Sequence, residues 1–427
     1  MRHLPPNDHL QLWRIIITIC AVFCADGTNA AEFPAAPEGT FSIAVIPDTQ
    51  HYRDSVKDTG AAGKPIITNA VFESYVDWIA SNVARQRIVF ATHVGDIVDV
   101  NNHQQWSVAR QMMDRLHGKV PYGISVGNHD MVRSGDSTLF QSFFAASRFE
   151  EFGWYGGCFR SPSGRSAISG NNANSFQLFS AEALDFIILH MECNAPDDVL
   201  AWADTVLEQH ADRRAMITTH MGLGPRDKPK VADDFFKAPK GRMTWKKCHG
   251  ERGNSPQQMW DKCFRKHPNL FLICCGDQSR TQAMHQSSTG DNGNTVHEVL
   301  SDYGSHGQRV MRFLPGHNRI EVRTWNPQTN EFCTETKIVR DANRHQFDLE
   351  YVMTARRTSA HVGYAAATRF PRVVTVSASC SSVSFSNEDR CLSSRCRRRH
   401  RSDRSTGFSA LNFATTRRVS HSRFTAS

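Results

Sequence analysis

Apolar residues in this chain fall into short β-type runs separated by longer stretches with helical spacing. The runs Ser42–Ile46, Ile88–Thr92, Tyr122–Val126, Leu184–His190, Ala215–Thr219, Leu270–Cys275 and Val296–Leu300 are rich in Ile, Val, Leu or Phe, which predicts buried strands. Val310–Phe313 and Ile320–Trp325, joined by the turn-forming Pro315–Asn318, predict a closing hairpin. Between the strands, Ala70–Arg85, Gln104–His117, Asp197–Gln209 and Pro256–Lys266 predict helices. In the first, Val71, Tyr75, Trp78, Ile79 and Val83 recur on one face, with Asn69 as the N-cap. Strands alternating with helices mean an α/β body, and the late hairpin makes its sheet mixed. No internal repeat is visible.

Two long loops interrupt this rhythm. Gly153–Asn174 is rich in Gly, Ser and Asn, whereas Gly222–Ser255 carries Arg226, Lys228, Lys230, Lys237, Lys240, Arg242, Lys246 and Lys247. Loops of that length in a compact domain are usually functional or mobile. Ligands of α/β sheets sit outside the strand ends, so the second loop could steer an anionic substrate there, or equally be no more than a solvated basic loop.

Charge changes the picture at one end. Residues 356–427 hold 14 Arg, no Lys and 3 acidic residues, a net +11, so the whole-chain +8 leaves residues 1–355 at −3. This segment is Ser/Thr/Arg-rich, lacks hydrophobic periodicity and contains the basic run Arg395–Arg404, which predicts a basic disordered tail over 351–427. Such a run could contact nucleic acid or an acidic surface, although a solvated tail without a partner is the commoner case. No specific protein partner is indicated.

At the other end, Arg2 and Arg14 precede the apolar run Ile15–Phe23, and small and polar residues follow up to Ala30. That order is the one of a secretory signal, here 1–30, and the run is too short to span a bilayer. A Pro/Ala-rich spacer over 31–40 then leads into a body over 41–350, which is expected to be secreted or periplasmic. Of 12 cysteines, seven fall in the body, an odd number. Export permits a disulfide, for example Cys248 to Cys263, but spacing does not assign connectivity.

Polar residues cluster where the apolar runs end. In order these are Asp48-Thr49-Gln50, Gly95-Asp96-Ile97-Val98-Asp99, Gly127-Asn128-His129-Asp130, Thr219-His220 and Gly276-Asp277-Gln278-Ser279. Over Ser42–Asn326 this order resembles the calcineurin-like metallophosphoesterases, whose pattern is DxH, GDxxD, GNHD/E, a histidine after a strand, and GHxH. The resemblance implies a four-layer α/β/β/α sandwich with mixed sheets. It also implies two divalent cations, Mn, Fe, Zn or Mg, about 3.5–4 Å apart, which stabilise in-line displacement at phosphorus. Asp96 would bridge them, Asp48 and Gln50 would serve the first, and Asn128, His220 and Asp277 the second. A mixed oxygen and imidazole set suits such ions better than calcium. The implied reaction is phosphoester hydrolysis, a metal-bound hydroxide attacking phosphorus while His129 assists the leaving group. Asp130 would orient His129, Asp99 would support from behind, and Arg280 would contact substrate. His51, His93, His103 and His190 lie near the motifs or strand ends, and packing roles are expected for most of them.

The departures carry information too. Gln50 stands where the family has a ligand histidine, and Asp277 and Ser279 replace the two histidines of its last motif. The first cation thereby loses two imidazoles, which leaves one-metal operation open. The alternative reading is a non-catalytic binding protein on the same fold with a degenerate metal site.

Overall fold

The structure, a computed structural model, describes residues 32–59, 65–161, 168–225, 240–278 and 282–354. The chain divides into two units at Thr358, and the second, Ser359–Ser427, lies outside the described residues, as do the expected signal, Ser279 and Arg280. Among the described residues no helix is long and apolar enough to cross a membrane.

The strands are, in chain order, β1 (Phe41–Ile46), β2 (Arg53–Thr59), β3 (Pro65–Thr68), β4 (Ile88–His93), β5 (Tyr122–Ile124) and β6 (Tyr155–Cys158). They continue as β7 (Ser175–Ala181), β8 (Leu184–Met191), β9 (Arg214–Thr219), β10 (Gly224–Pro225), β11 (Lys240–Gly241) and β12 (Leu270–Cys275). The last six are β13 (Ala283–Thr289), β14 (Thr295–Ser301), β15 (Gln308–Leu314), β16 (Arg319–Asn326), β17 (Glu331–Phe332) and β18 (Gln346–Glu350). The helices are α1 (Ala70–Asn82), α2 (His103–Asp114), α3 (Thr138–Phe143), α4 (Asp197–Gln209) and α5 (Pro256–Lys262).

One sheet runs β17-β16-β15-β1-β4-β5, with β18 also on β16; the other runs β13-β14-β12-β9-β8-β7-β6. β1, β4 and β5 are parallel and form one end of the first sheet, β8, β9, β12 and β14 are parallel in the middle of the second, and the remaining pairings are antiparallel. Strand alternation sends successive side chains to opposite faces. Hence Phe41, Ile43 and Val45 of β1 join Phe186 and Ile188 of β8 between the sheets. Ala44 and Ile46 face α1 and α2, while Ile187 and Leu189 face α4 and α5. Three apolar cores therefore separate four layers, α/β/β/α.

The helices form as their spacing requires, with one adjustment. Asn69 caps α1 by accepting from the Phe72 amide at 3.0 Å. Phe72, Tyr75, Val76 and Ile79 are its fully buried residues, and Val71, Trp78 and Val83 are only partly so. The buried face is thus rotated from the one that Val71, Trp78 and Val83 suggest. Ser255 and Gln258 form a reciprocal capping box at the start of α5. The spacer is docked rather than free at Phe33, whose ring meets Trp78 at 5.6 Å and Trp325 at 5.4 Å.

Between the sheets lies a buried polar bridge. Thr92 Oγ1 of β4 meets Thr218 Oγ1 of β9 at 2.7 Å and His190 Nε2 of β8 at 2.8 Å, and His190 Nδ1 meets Gln177 Oε1 at 2.6 Å. His190 is thereby satisfied on both nitrogens, and burial pushes its imidazole down to about 3.

Candidate metal centre

Parallel strands of both sheets end on one rim. Asp48 follows β1, Asp96 follows β4, Asn128 follows β5, His220 follows β9 and Asp277 follows β12. Donor atoms of Asp48, Asp96 and His220, all buried, lie within 4.8 Å of one another. His220 Nε2 is 3.2 Å from Asp96 Oδ2 and 3.6 Å from Asp277 Oδ1.

Close backbone approach makes this convergence. A Cβ on Gly127 would lie 2.2 Å from Asp96 Oδ1, and one on Gly276 would lie 2.2 Å from Asp48 Oδ1. Each of these two glycines thus makes room for a carboxylate delivered by another motif. Asp96 and Asp277 themselves hold positive φ, 48° and 60°. Such backbone persists where the surroundings over-determine it, which is common at ligand clamps.

The electrostatics are those of donors lacking their acceptor. Asp48 Oδ1 and His220 Nε2 are buried with no hydrogen-bond partner. Burial, and then the neighbouring Asp302 carboxylate, push Asp48 well above the usual carboxylate range. Burial alone would lower His220, but Asp96 and Asp48 hold its imidazole well above the ordinary value. His220 Nδ1 sits 3.0 Å from the Val94 carbonyl. A carbonyl can only accept, so Nδ1 carries a hydrogen and Nε2 faces the cluster, where a bound cation would displace a proton from it and take up its lone pair. Two orphaned, enclosed donors beside a third fit a divalent cation.

Other sequence-proposed residues take different places. Gln50 is half-buried two residues beyond Asp48. The Asn128 carboxamide meets Asp277 Oδ1 at 2.5 Å and Lys247 Nζ at 3.3 Å. His129 donates its backbone amide to Asp96 Oδ1 at 2.8 Å and exposes its ring on the rim. Asp130 is not the partner of that ring. Its carboxylate is buried and accepts from the Gly127 and Val98 amides at 2.8 and 3.1 Å, so it braces the loop. Burial and Asp96 push it up to about 7. The ring's partner is Asp99, whose carbonyl is 2.7 Å and whose Oδ1 is 3.7 Å from His129 Nδ1.

The neighbouring histidines have packing roles. His93 is buried, meets Thr49 Oγ1 at 3.0 Å through Nε2 and accepts from the Gly95 amide at 3.1 Å through Nδ1. His103 is exposed at the start of α2. His51 is half-buried near Gly304, on the loop after β14.

Two residues of this rim were missed in the sequence. Asp302 follows β14 and is buried, and burial pushes it up to about 7. The signal was present, since Val296–Leu300 is an apolar run that ends in a carboxylate. Lys247 was one of eight loop cations with nothing to distinguish it, yet its ammonium bonds the Asp277 carboxylate. Of the other loop cations, Arg242 pairs with Glu298 and Lys246 with Glu251, and Arg226, Lys228, Lys230 and Lys237 lie outside the described residues. All seven described cysteines are free thiols, and Cys248 lies against Cys193, not Cys263.

Two mixed sheets between helices, with strand-end motifs in this order, are the arrangement of the calcineurin-like metallophosphoesterases that the sequence resembles. No family model matches the chain. The uncharacterized protein YvnB of Bacillus subtilis (strain 168) is 24% identical over 349 residues, 78% of this chain and 23% of that protein. The chain therefore spans less than a quarter of that relative's length. Solved structures similar to it include a 5'-nucleotidase precursor from Thermus thermophilus, 12% identical, covering 69% of this chain and 52% of that one, with a TM-score of 0.36. A dimetal phosphatase from Danio rerio is 13% identical over 67% of this chain and 96% of that one, with a TM-score of 0.39.

Proposed function

We propose that this protein is a metal-dependent phosphoester hydrolase acting after export from the cytoplasm. The observation that carries the reading is the pair of orphaned buried donors, Asp48 Oδ1 and His220 Nε2, gathered with Asp96 at the strand ends. Leaving such groups unpaired costs about 1–3 kcal/mol each, more for charged ones, so their retention argues for a ligand that completes them. Asp48, Asp96 and His220 would hold a divalent cation. When bound, that ion polarises a phosphoryl oxygen and lowers the pKa of water.

The chain's own groups supply the rest. The Val94 carbonyl fixes the His220 tautomer, and the His129 amide fixes the orientation of Asp96. His129 faces solvent with Nδ1 held by the Asp99 carbonyl, which leaves Nε2 free to give a proton to a departing alkoxide or phenoxide.

Hydrolysis of p-nitrophenyl phosphate and bis(p-nitrophenyl) phosphate, with Mn, Zn, Fe and Mg supplied separately, tests the assignment. Turnover is expected with at least one ion, and Asp96→Ala is expected to abolish both turnover and metal retention. Turnover surviving in Asp96→Ala would sink the proposal. Finding the chain outside the cytoplasm with residues 1–30 removed, by mass spectrometry, tests export.

A further inference from the structure

Resting on the metal-dependent reading above, we infer that the Lys247 ammonium occupies the place of a second cation, so the centre holds one divalent ion and not two.

The inference starts from where Lys247 points. Its Nζ bonds Asp277 Oδ1 and lies 3.3 Å from the Asn128 carboxamide. These are two of the four groups that the motif order offers a second metal. A cation there would need the same two side chains, and it would be repelled by the ammonium already beside them. The remaining donors, Asp48, Asp96 and His220, converge on a single point.

Lys247 is not a stray surface lysine. Its backbone amide donates to Asn194 Oδ1 at 2.8 Å, the next residue, Cys248, lies against Cys193, and His249 Nε2 is 3.5 Å from Glu192 Oε2 with both side chains fully enclosed. Three consecutive loop residues are therefore anchored to the three residues that follow β8. Asn194 is further tied by its Nδ2, which donates to the Asn254 carbonyl at 2.9 Å. The stem of Lys247 is thus fixed at the rim, and its four-carbon side chain reaches across the strand ends.

Two sequence peculiarities then explain each other. A neutral imidazole at position 277 would leave Lys247 without a counter-ion, whereas a carboxylate holds it. Aspartate at 277 and lysine at 247 form one unit, a fixed positive charge built from the chain. An ammonium is a compact point charge able to bind a phosphoryl oxygen, so Lys247 would supply on the substrate part of the electrostatic stabilisation that a second metal supplies elsewhere.

The test is the metal count of the full-length protein, independent of any substrate. Wild type and Asp96→Ala are loaded with Mn²⁺, freed of excess, and measured by elemental analysis and by electron paramagnetic resonance. Subtracting Asp96→Ala removes ions held away from this centre. The expected difference is one Mn²⁺ per chain, with the six-line spectrum of an isolated ion. Lys247→Met is expected to raise the difference towards two and to add the features of an exchange-coupled pair. Two Mn²⁺ per wild-type chain, or a coupled spectrum in wild type, overturns the inference whatever Lys247→Met does. A folded Lys247→Met that still holds one also overturns it. Phosphoester turnover with two ions in wild type would remove this inference and leave the proposed reaction standing. One ion without turnover on any ester would do the reverse.

Discussion

Gly127 and Asp96 approach so closely that a Cβ on the glycine would lie 2.2 Å from Asp96 Oδ1 and 2.2 Å from the Asp96 amide nitrogen. The carboxylate belongs to the loop after β4 and the glycine to the loop after β5, so the contact locks two strand ends into one site. Gly127→Ala is expected to displace Asp96, destabilise the fold by about 1–3 kcal/mol as overpacking does, and lower Mn²⁺ affinity by at least tenfold. Circular dichroism with metal titration checks it, and unchanged affinity would mean that the close approach is not needed.

Asp48 is expected to reveal a conflict between stability and binding. Its Oδ1 is buried without a partner, and burial with Asp302 nearby disfavours its charge. Asp48→Asn is therefore expected to make the metal-free protein more stable, by about 1–3 kcal/mol, while removing the extra stability that Mn²⁺ gives wild type. Denaturant unfolding with and without chelator measures both. A metal-free Asp48→Asn weaker than wild type would contradict the account.

The His129 ring is held by Asp99 on the rim, and only the residue's backbone amide touches a donor at the centre, Asp96. His129→Gln should keep the metal and lose about 10²–10⁴-fold in turnover on esters with poor leaving groups, as removal of a general acid does. The loss should shrink for p-nitrophenyl esters, whose leaving group needs little protonation. An equal loss for both would assign His129 to charge stabilisation and not proton transfer.

His190 links the two sheets as a neutral imidazole whose pKa lies near 3. The unfolded chain would protonate this group near 6.5, so its contribution to stability is present above that pH and is lost as the pH falls from 6.5 towards 3. Between pH 7 and pH 5 wild type should lose about 2 kcal/mol more than His190→Gln does. Comparing the two proteins at both pH values cancels the opposing contributions of Asp130 and Asp302, which are raised to about 7. Equal pH dependence would show that His190 is not held neutral.

Much of the body was legible in the chain. Runs such as Leu270–Cys275 are β-rich and buried, and the period of apolar residues located α1, α2, α4 and α5 with small shifts at their ends. What failed was weakly patterned. The strands β6, β7, β13 and β18 are edge or next-to-edge strands with polar or glycine positions, and pairing gives them their form, β6 on β7, β7 on β8, β13 on β14 and β18 on β16. Edge pairing depends on a neighbour's free amides and carbonyls, which local sequence does not display.

The sequence by itself determined which residue types stand at the strand ends and in what order, because strand ends and glycine turns are local properties of the backbone. Tertiary structure alone decided that Asp130 braces a loop while Asp99 holds His129, that Asp302 joins the rim, and that Lys247 reaches Asp277. Those outcomes depend on distances between segments far apart in the chain, set by how two sheets pack, and no spacing along the sequence encodes them.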